Sequence, residues 1–260
     1  MPRFLNRAFP DIQTASSGLA SGLSAGPEAA RSPLTRASLH PAVFLDRDGT
    51  LVEEVAYLHD PEQVALMPGA GALAGLAAAG YALVVVTNQA GVARGRYDEA
   101  AVEAVHRRLA ELLAGVGVRL DAVLYCPHHP EGTVPGYARA CRCRKPGPGM
   151  LEAAAERLGL DLAASFMIGN HPTDVGAAGA AGVTPLFVTT GRAAGRPPPP
   201  GVASFSGLEA ATGAVLAGRG AAPGRAVDGG GEGVQKARPA PAVTGRAWPG
   251  MPVGRGRPRP

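Results

Sequence analysis

AVFLDRDGT, residues 42–50, joins four apolar residues to two aspartates, Asp46 and Asp48, separated by one residue. The apolar run is short, uncharged and β-prone, which predicts a buried strand. Gly49 lets the chain turn sharply where that strand ends. Both carboxylates therefore emerge at a strand's carboxyl end, the place where open α/β sheets bind ligands. Like charges held so close need a cation or a shared proton, and hard oxygen ligands suit Mg²⁺. One carboxylate can then attack an electrophile while its neighbour moves protons. The same letters also fit a solvated Asp-x-Asp-Gly turn, the opening of a calcium loop or a strand-ending cap.

Working outward, apolar runs at 42–46, 81–87, 121–126, 165–169 and 184–189 predict strands. They alternate with helical patterns at 69–79, 97–114, 149–158 and 173–181. In the second of these helices Val102, Val105, Leu109, Leu112 and Leu113 recur at the spacing of one helix face. Strands separated by helices imply crossovers and a parallel sheet. The expected fold is α/β, a doubly wound, Rossmann-like parallel sheet with helices on both faces. Its domain is expected over residues 41–192. Residues 1–40 are rich in Ser, Ala, Gly and Pro, and 193–260 in Gly, Pro, Ala and Arg, so both ends are expected to be mostly disordered. Gly201 to Leu216 is a candidate for one further short strand and helix.

The chain of 260 residues carries a net charge of +4, but Arg219 to Pro260 alone holds eight Lys/Arg against two Asp/Glu. The remaining 218 residues therefore sum to −2. Basicity belongs to a tail rather than to a folded face, so no specific nucleic-acid partner is expected. No stretch reaches the length of a membrane span, and the N-terminus lacks a continuous apolar core for a secretory signal. A cytoplasmic monomer without a membrane partner is expected.

All three cysteines, Cys126, Cys141 and Cys143, fall within eighteen residues. With His128 they read C-x-H, a twelve-residue gap, then C-x-C. Three thiolates and an imidazole are a preferred tetrahedral set for structural Zn²⁺, and four ligands leave no open catalytic position. A disulfide would leave an odd thiol in a chain without an export signal, and a buried thiol cluster is the other alternative. His129 competes with His128 as the imidazole ligand.

Two further stretches bear groups that can hold phosphate. Val84 to Val86 leads into Thr87-Asn88-Gln89, a hydroxyl and amides at another strand end that can hydrogen-bond an oxyanion or merely cap a turn. Arg144 and Lys145 lie between the metal loop and the next helix start. Lys145 suits a transferring phosphoryl group as a point charge, and Arg144 a second phosphate through its planar fork. Gly169-Asn170-His171-Pro172-Thr173-Asp174 follows a third strand. Asp174 there fits either a helix-start charge or a carboxylate near a metal.

Taken together, FLDRDGTL (44–51), VVVTNQAGVARG (84–95), CPHHPEG (126–132) and CRCRKPGPGML (141–151) resemble the haloacid dehalogenase superfamily of phosphatases. The resemblance covers roughly residues 41–192 and is closest to the histidinol-phosphate and heptose-bisphosphate phosphatase branch. It implies a Mg²⁺-dependent hydrolase acting on a small sugar phosphate, the 7-phosphate of a heptose bisphosphate, with histidinol phosphate as the alternative substrate. Asp46 is implied as the nucleophile, Asp48 as the acid and base, and Thr87 and Lys145 as phosphoryl stabilisers. Mg²⁺ is implied at Asp46, the Asp48 carbonyl, Asn170 and Asp174. Zn²⁺ is implied at Cys126, His128, Cys141 and Cys143, in a loop that replaces part of a large cap domain. Glu54, Tyr57, Asn88, Gln89, Arg144 and His171 are implied to face substrate. The family position at Asn170 is usually Asp, and that at His171 usually Lys. The first change removes a charge from the metal site, which leaves slower turnover, altered metal preference or a phosphosugar-binding relative as alternatives.

Overall fold

The computed structural model describes residues 3–4 and 39–220, with side chains over 39–218. In chain order the strands and α-helices are β1 (Arg3–Phe4), β2 (Ala42–Leu45), α1 (Leu73–Ala78), β3 (Ala82–Asn88), α2 (Ala90–Ala93), α3 (Glu99–Gly115), β4 (Ala122–Cys126), α4 (Gly149–Leu158), β5 (Phe166–Gly169), α5 (Pro172–Ala181), β6 (Thr184–Val188), β7 (Ala203–Phe205) and α6 (Leu208–Gly220). The strands form one sheet in the order β1-β4-β3-β2-β5-β6-β7. β2 to β7 pair in parallel, and β1 adds an antiparallel edge to β4.

Alternate residues of each strand supply the two faces. Val43, Leu45, Leu83, Val85, Val123 and Tyr125 pack with residues of α1, α3 and α6 on one side. Ala42, Phe44, Val84, Val86, Ala122 and Leu124 pack with residues of α4 and α5 on the other. Both faces are apolar because helices cover both, so the strands read as continuous apolar runs rather than as alternating ones. From β2 the chain first builds outward through β3 and β4, then returns to lay β5, β6 and β7 on the opposite side. The carboxyl ends of β2 and β5 therefore flank the switch point, where such sheets form a crevice.

The fold runs past residue 192, beyond the boundary expected from composition. Gly201 to Leu216 supplies the short strand and helix for which it is a candidate: β7 extends the sheet, and α6 buries Leu208, Ala211 and Val215. Residues 3–4 likewise belong to the sheet rather than to a disordered extension. The expectations for 5–38 and 221–260 lie outside the described residues. Leu208 is 2% exposed. We expect Leu208→Ala to lower folding stability by about 2–5 kcal/mol, read as a lower midpoint in urea, because the cavity cannot fully collapse. An unchanged midpoint would show that α6 is dispensable to the domain.

Candidate active site and metal centre

Asp46 leaves β2 with its backbone N–H donated to the Ile168 carbonyl of β5, which ties the nucleophile loop to the neighbouring strand end. Gly49 turns this loop with φ +77°, a conformation that side chains rarely adopt. A Cβ there would lie 2.2 Å from Asn170 Nδ2, so the glycine also lets the loop after β5 approach.

Lys145 arrives from the far side of the metal loop, yet it is 3% exposed. Its ammonium contacts Asp46 Oδ1 at 2.6 Å and Asp174 Oδ1 at 2.7 Å, and donates to the Val86 carbonyl at 2.7 Å. Burial works against this charge, but Asp174 and Asp46 outweigh it and hold the Lys145 pKa above its ordinary value. One ammonium cannot neutralise both buried carboxylates. Burial pushes the Asp46 carboxyl up to about 7, with Lys145 opposing and Asp174 and Asp48 adding to the rise. A buried site with excess negative charge fits a divalent cation.

The remaining residues are placed as follows. Asp174 has its second oxygen on the His171 backbone N–H at 2.9 Å, within a capping box that starts α5. One of its oxygens thus faces the Lys145 ammonium and the other the start of α5. A Cβ on Gly169 would come within 2.3 Å of that carboxylate, so glycine makes the approach possible. His171, expected to face substrate, turns its Nδ1 inward to accept from Thr173 N. Asn88 accepts from Lys145 N and donates to Lys145 O, each at 3.0 Å, gripping the lysine backbone as a strand would. Gln89 donates to Asp48 and to Thr87 Oγ1, each at 2.9 Å. Asn170 donates its amide to the Thr190 carbonyl at 3.1 Å. Glu54 is held by the Arg192 backbone and side chain.

At the rim, Arg144 donates to the His128 carbonyl at 3.3 Å. Tyr57 takes the left-handed φ of 56°, accepts from Arg94 at 2.9 Å, and lies under the Arg96 guanidinium at 5.5 Å. Sequence reading overlooked Arg94, Arg96 and Arg192. VARGR is visibly basic, but nothing in its spacing ties it to Tyr57.

Cys126, at the end of β4, meets His128, Cys141 and Cys143 in one cluster whose ligand atoms all lie within 4.8 Å. The three sulfurs are 3.2–3.5 Å apart, and His128 Nδ1 is 3.5 Å from Cys143 and 3.7 Å from Cys126. Zn–S bonds of about 2.3 Å and Zn–N bonds of about 2.0 Å give tetrahedral edges of about 3.5–3.8 Å, so the set is compatible with zinc after a small outward shift of the sulfurs. The thiols are free, which sets the disulfide alternative aside. His129 faces Arg94 and the Glu131 backbone instead, leaving His128 as the imidazole of the cluster. The hydrogen bond that Cys126 and Cys143 share pulls the Cys143 thiol down and pushes that of Cys126 up, so the pair shares a proton that metal binding would release.

A family model described as HAD-hydrolase-like matches residues 142–198. D-glycero-β-D-manno-heptose-1,7-bisphosphate 7-phosphatase of Salmonella typhi is 46% identical over 154 residues, 58% of this chain and 82% of the relative. The chain belongs to this phosphatase family, within the haloacid dehalogenase superfamily. Another member, from Rhodopseudomonas palustris, is 47% identical over 144 residues, 55% of this chain and 80% of its own length. The crystal structure of D,D-heptose 1,7-bisphosphate phosphatase from B. bronchiseptica, complexed with magnesium and phosphate, superposes with a TM-score of 0.61. It is 34% identical and covers 68% of this chain and 99% of its own.

Proposed function

We propose that this chain is a Mg²⁺-dependent phosphatase that removes the 7-phosphate of D-glycero-D-manno-heptose 1,7-bisphosphate. One observation carries the chemistry: the Lys145 ammonium lies between two buried carboxylates, Asp46 and Asp174, at the switch point of the sheet. The Asp46 carboxylate attacks phosphorus, forming an aspartyl-phosphate as the bond to the sugar oxygen breaks. Asp48 delivers its proton to that oxygen. The same carboxylate then takes a proton from water as water attacks phosphorus, which frees Asp46 and inorganic phosphate. Lys145 and the Thr87 hydroxyl stabilise the phosphoryl oxygens. Asp46, the Asp48 carbonyl, Asn170 and Asp174 would hold Mg²⁺, whose chemistry is to offset charge on the transferring group. Arg144, with Arg94 and Arg96 at the rim, would hold the other phosphate, while Glu54 and Tyr57 border the sugar. A cytoplasmic monomer without membrane or nucleic-acid partners completes this reading. No described helix is long and apolar enough to cross a membrane.

The test is phosphate release from heptose 1,7-bisphosphate and from histidinol phosphate, side by side, with Mg²⁺. Preference for the first supports the assignment; preference for the second overturns it. A phosphosugar-binding protein without turnover is not favoured, since the chain retains Asp46, Asp48, Thr87 and Lys145 and its relatives are named phosphatases.

In this reading zinc holds Arg144 and Lys145 through the loop that precedes them. Cys143→Ser is therefore expected to lose bound zinc and to lower phosphate release together, because Lys145 lies two residues on. Metal analysis and turnover on one sample check this. Full activity without zinc would show that the cluster does not position the lysine.

A further inference from the structure

Arg47 is a buried cation that the reaction above leaves without a part. Its side chain is 1% exposed. It grips Asp48 from one side, with Nε to Oδ1 at 3.0 Å and Nη2 to Oδ1 and Oδ2 at 2.9 and 3.0 Å. Gln89 Nε2 meets Asp48 Oδ2 from another side and is itself fixed by the Tyr97 hydroxyl at 2.8 Å. The direction in which the Asp48 oxygens face therefore depends on where the guanidinium sits. Behind it lies His106, an interior residue of α3 that is 2% exposed, with Nε2 at 3.1 Å from Arg47 Nη1.

A guanidinium can only donate, so Nε2 must accept, and the imidazole is neutral with its proton on Nδ1. Burial, reinforced by the Arg47 charge, holds the His106 pKa well below its ordinary value, so the acceptor persists. Among the described residues the Nδ1 proton has no hydrogen-bond partner. The ring contacts Tyr125 at 5.6 Å between centroids. An apolar residue would pack there without a stranded N–H, so packing alone does not account for a histidine.

We propose that His106 is a positioning residue for Asp48, acting through Arg47. It ends the guanidinium's hydrogen bonding on the side away from Asp48 and so fixes the carboxylate toward the leaving oxygen. The proposal rests on the reading of Asp48 as the group that protonates that oxygen.

The test compares His106→Met, which fills similar space without a comparable acceptor, with His106→Gln, whose amide oxygen can accept from Arg47. Each is assayed on heptose 1,7-bisphosphate and on p-nitrophenyl phosphate, whose leaving group departs as a stabilised anion and needs no proton. We expect His106→Met to lower kcat/KM for the sugar phosphate about tenfold or more, but for p-nitrophenyl phosphate less than about threefold. His106→Gln should recover most of the loss. Equal losses on both substrates, or a Gln variant no better than Met, would overturn the proposal, since a merely weakened fold lowers both alike. If the wild type hydrolyses neither compound, the phosphatase reading fails, and imidazole ¹⁵N spectra decide the His106 geometry alone. A ring protonated only at Nδ1 from about pH 6 to 9 supports it; protonation at Nε2 overturns it.

Discussion

Asp46→Asn is expected to reduce Mg²⁺-dependent phosphate release to the level of a protein-free control, a loss of at least about 10³-fold. An amide has the shape of the carboxylate but is a poor nucleophile toward phosphorus, and it removes charge from the metal position. The fold should persist, because Lys145 keeps Asp174 as its partner at 2.7 Å. Stability gives an independent check with a definite sign. The Asp46 carboxyl is raised from its ordinary 3.8 to about 7 in the folded chain. Its contribution to stability is thus present below pH about 4 and is lost as pH rises through about 7. The Asn variant lacks that loss, so without Mg²⁺ its melting temperature relative to the wild type should be higher at pH 8 than at pH 4. Added Mg²⁺ should raise the melting temperature of the wild type more than that of the variant. Retained turnover in Asp46→Asn would remove the nucleophile from the scheme altogether.

The parts of this site that were legible in the sequence are those whose partners lie close along the chain. DRDGT reads as a strand end with two acids because Val43 to Thr50 are contiguous, and the C-x-H and C-x-C pairs announce their four-residue cluster by spacing alone. Long-range pairings left no such trace. Asn88 grips the backbone of Lys145, 57 positions away, a pairing that the residues around either one do not announce. The Arg47–His106 contact spans 59 positions, and neither residue type announces the other. Asp174 could be read as a helix cap or as a site carboxylate; one oxygen makes the cap and the other meets Lys145, 29 positions away. The last helix was obscured by composition. Leu208, Ala211 and Val215 are spaced for one buried face, but Ala and Gly fill the positions between them and resemble the tail that follows.

Lys145→Met should separate what the lysine does for the fold from what it does for the chemistry. Removing the ammonium leaves Asp46 and Asp174 buried together and leaves the Val86 carbonyl without its donor. Breaking a buried ion pair from one side costs about 3–5 kcal/mol, more than the methionine's apolar burial returns. The variant should therefore unfold at lower denaturant, and the deficit should shrink as pH falls, because a protonated carboxyl no longer needs the cation. Pairing it with Asp174→Asn should recover much of the stability, since only one acid then remains. Turnover should not follow. The transferring phosphoryl group still lacks its point charge, and kcat should stay at least about 10²-fold below wild type in both variants. The divalent cation becomes the only nearby positive charge for Asp46, so Mg²⁺ should raise the melting temperature of Lys145→Met more than that of the wild type. If the double variant regains activity along with stability, Lys145 acts as a structural counter-ion only, and the charge that supports phosphoryl transfer must come from Arg144 and the metal.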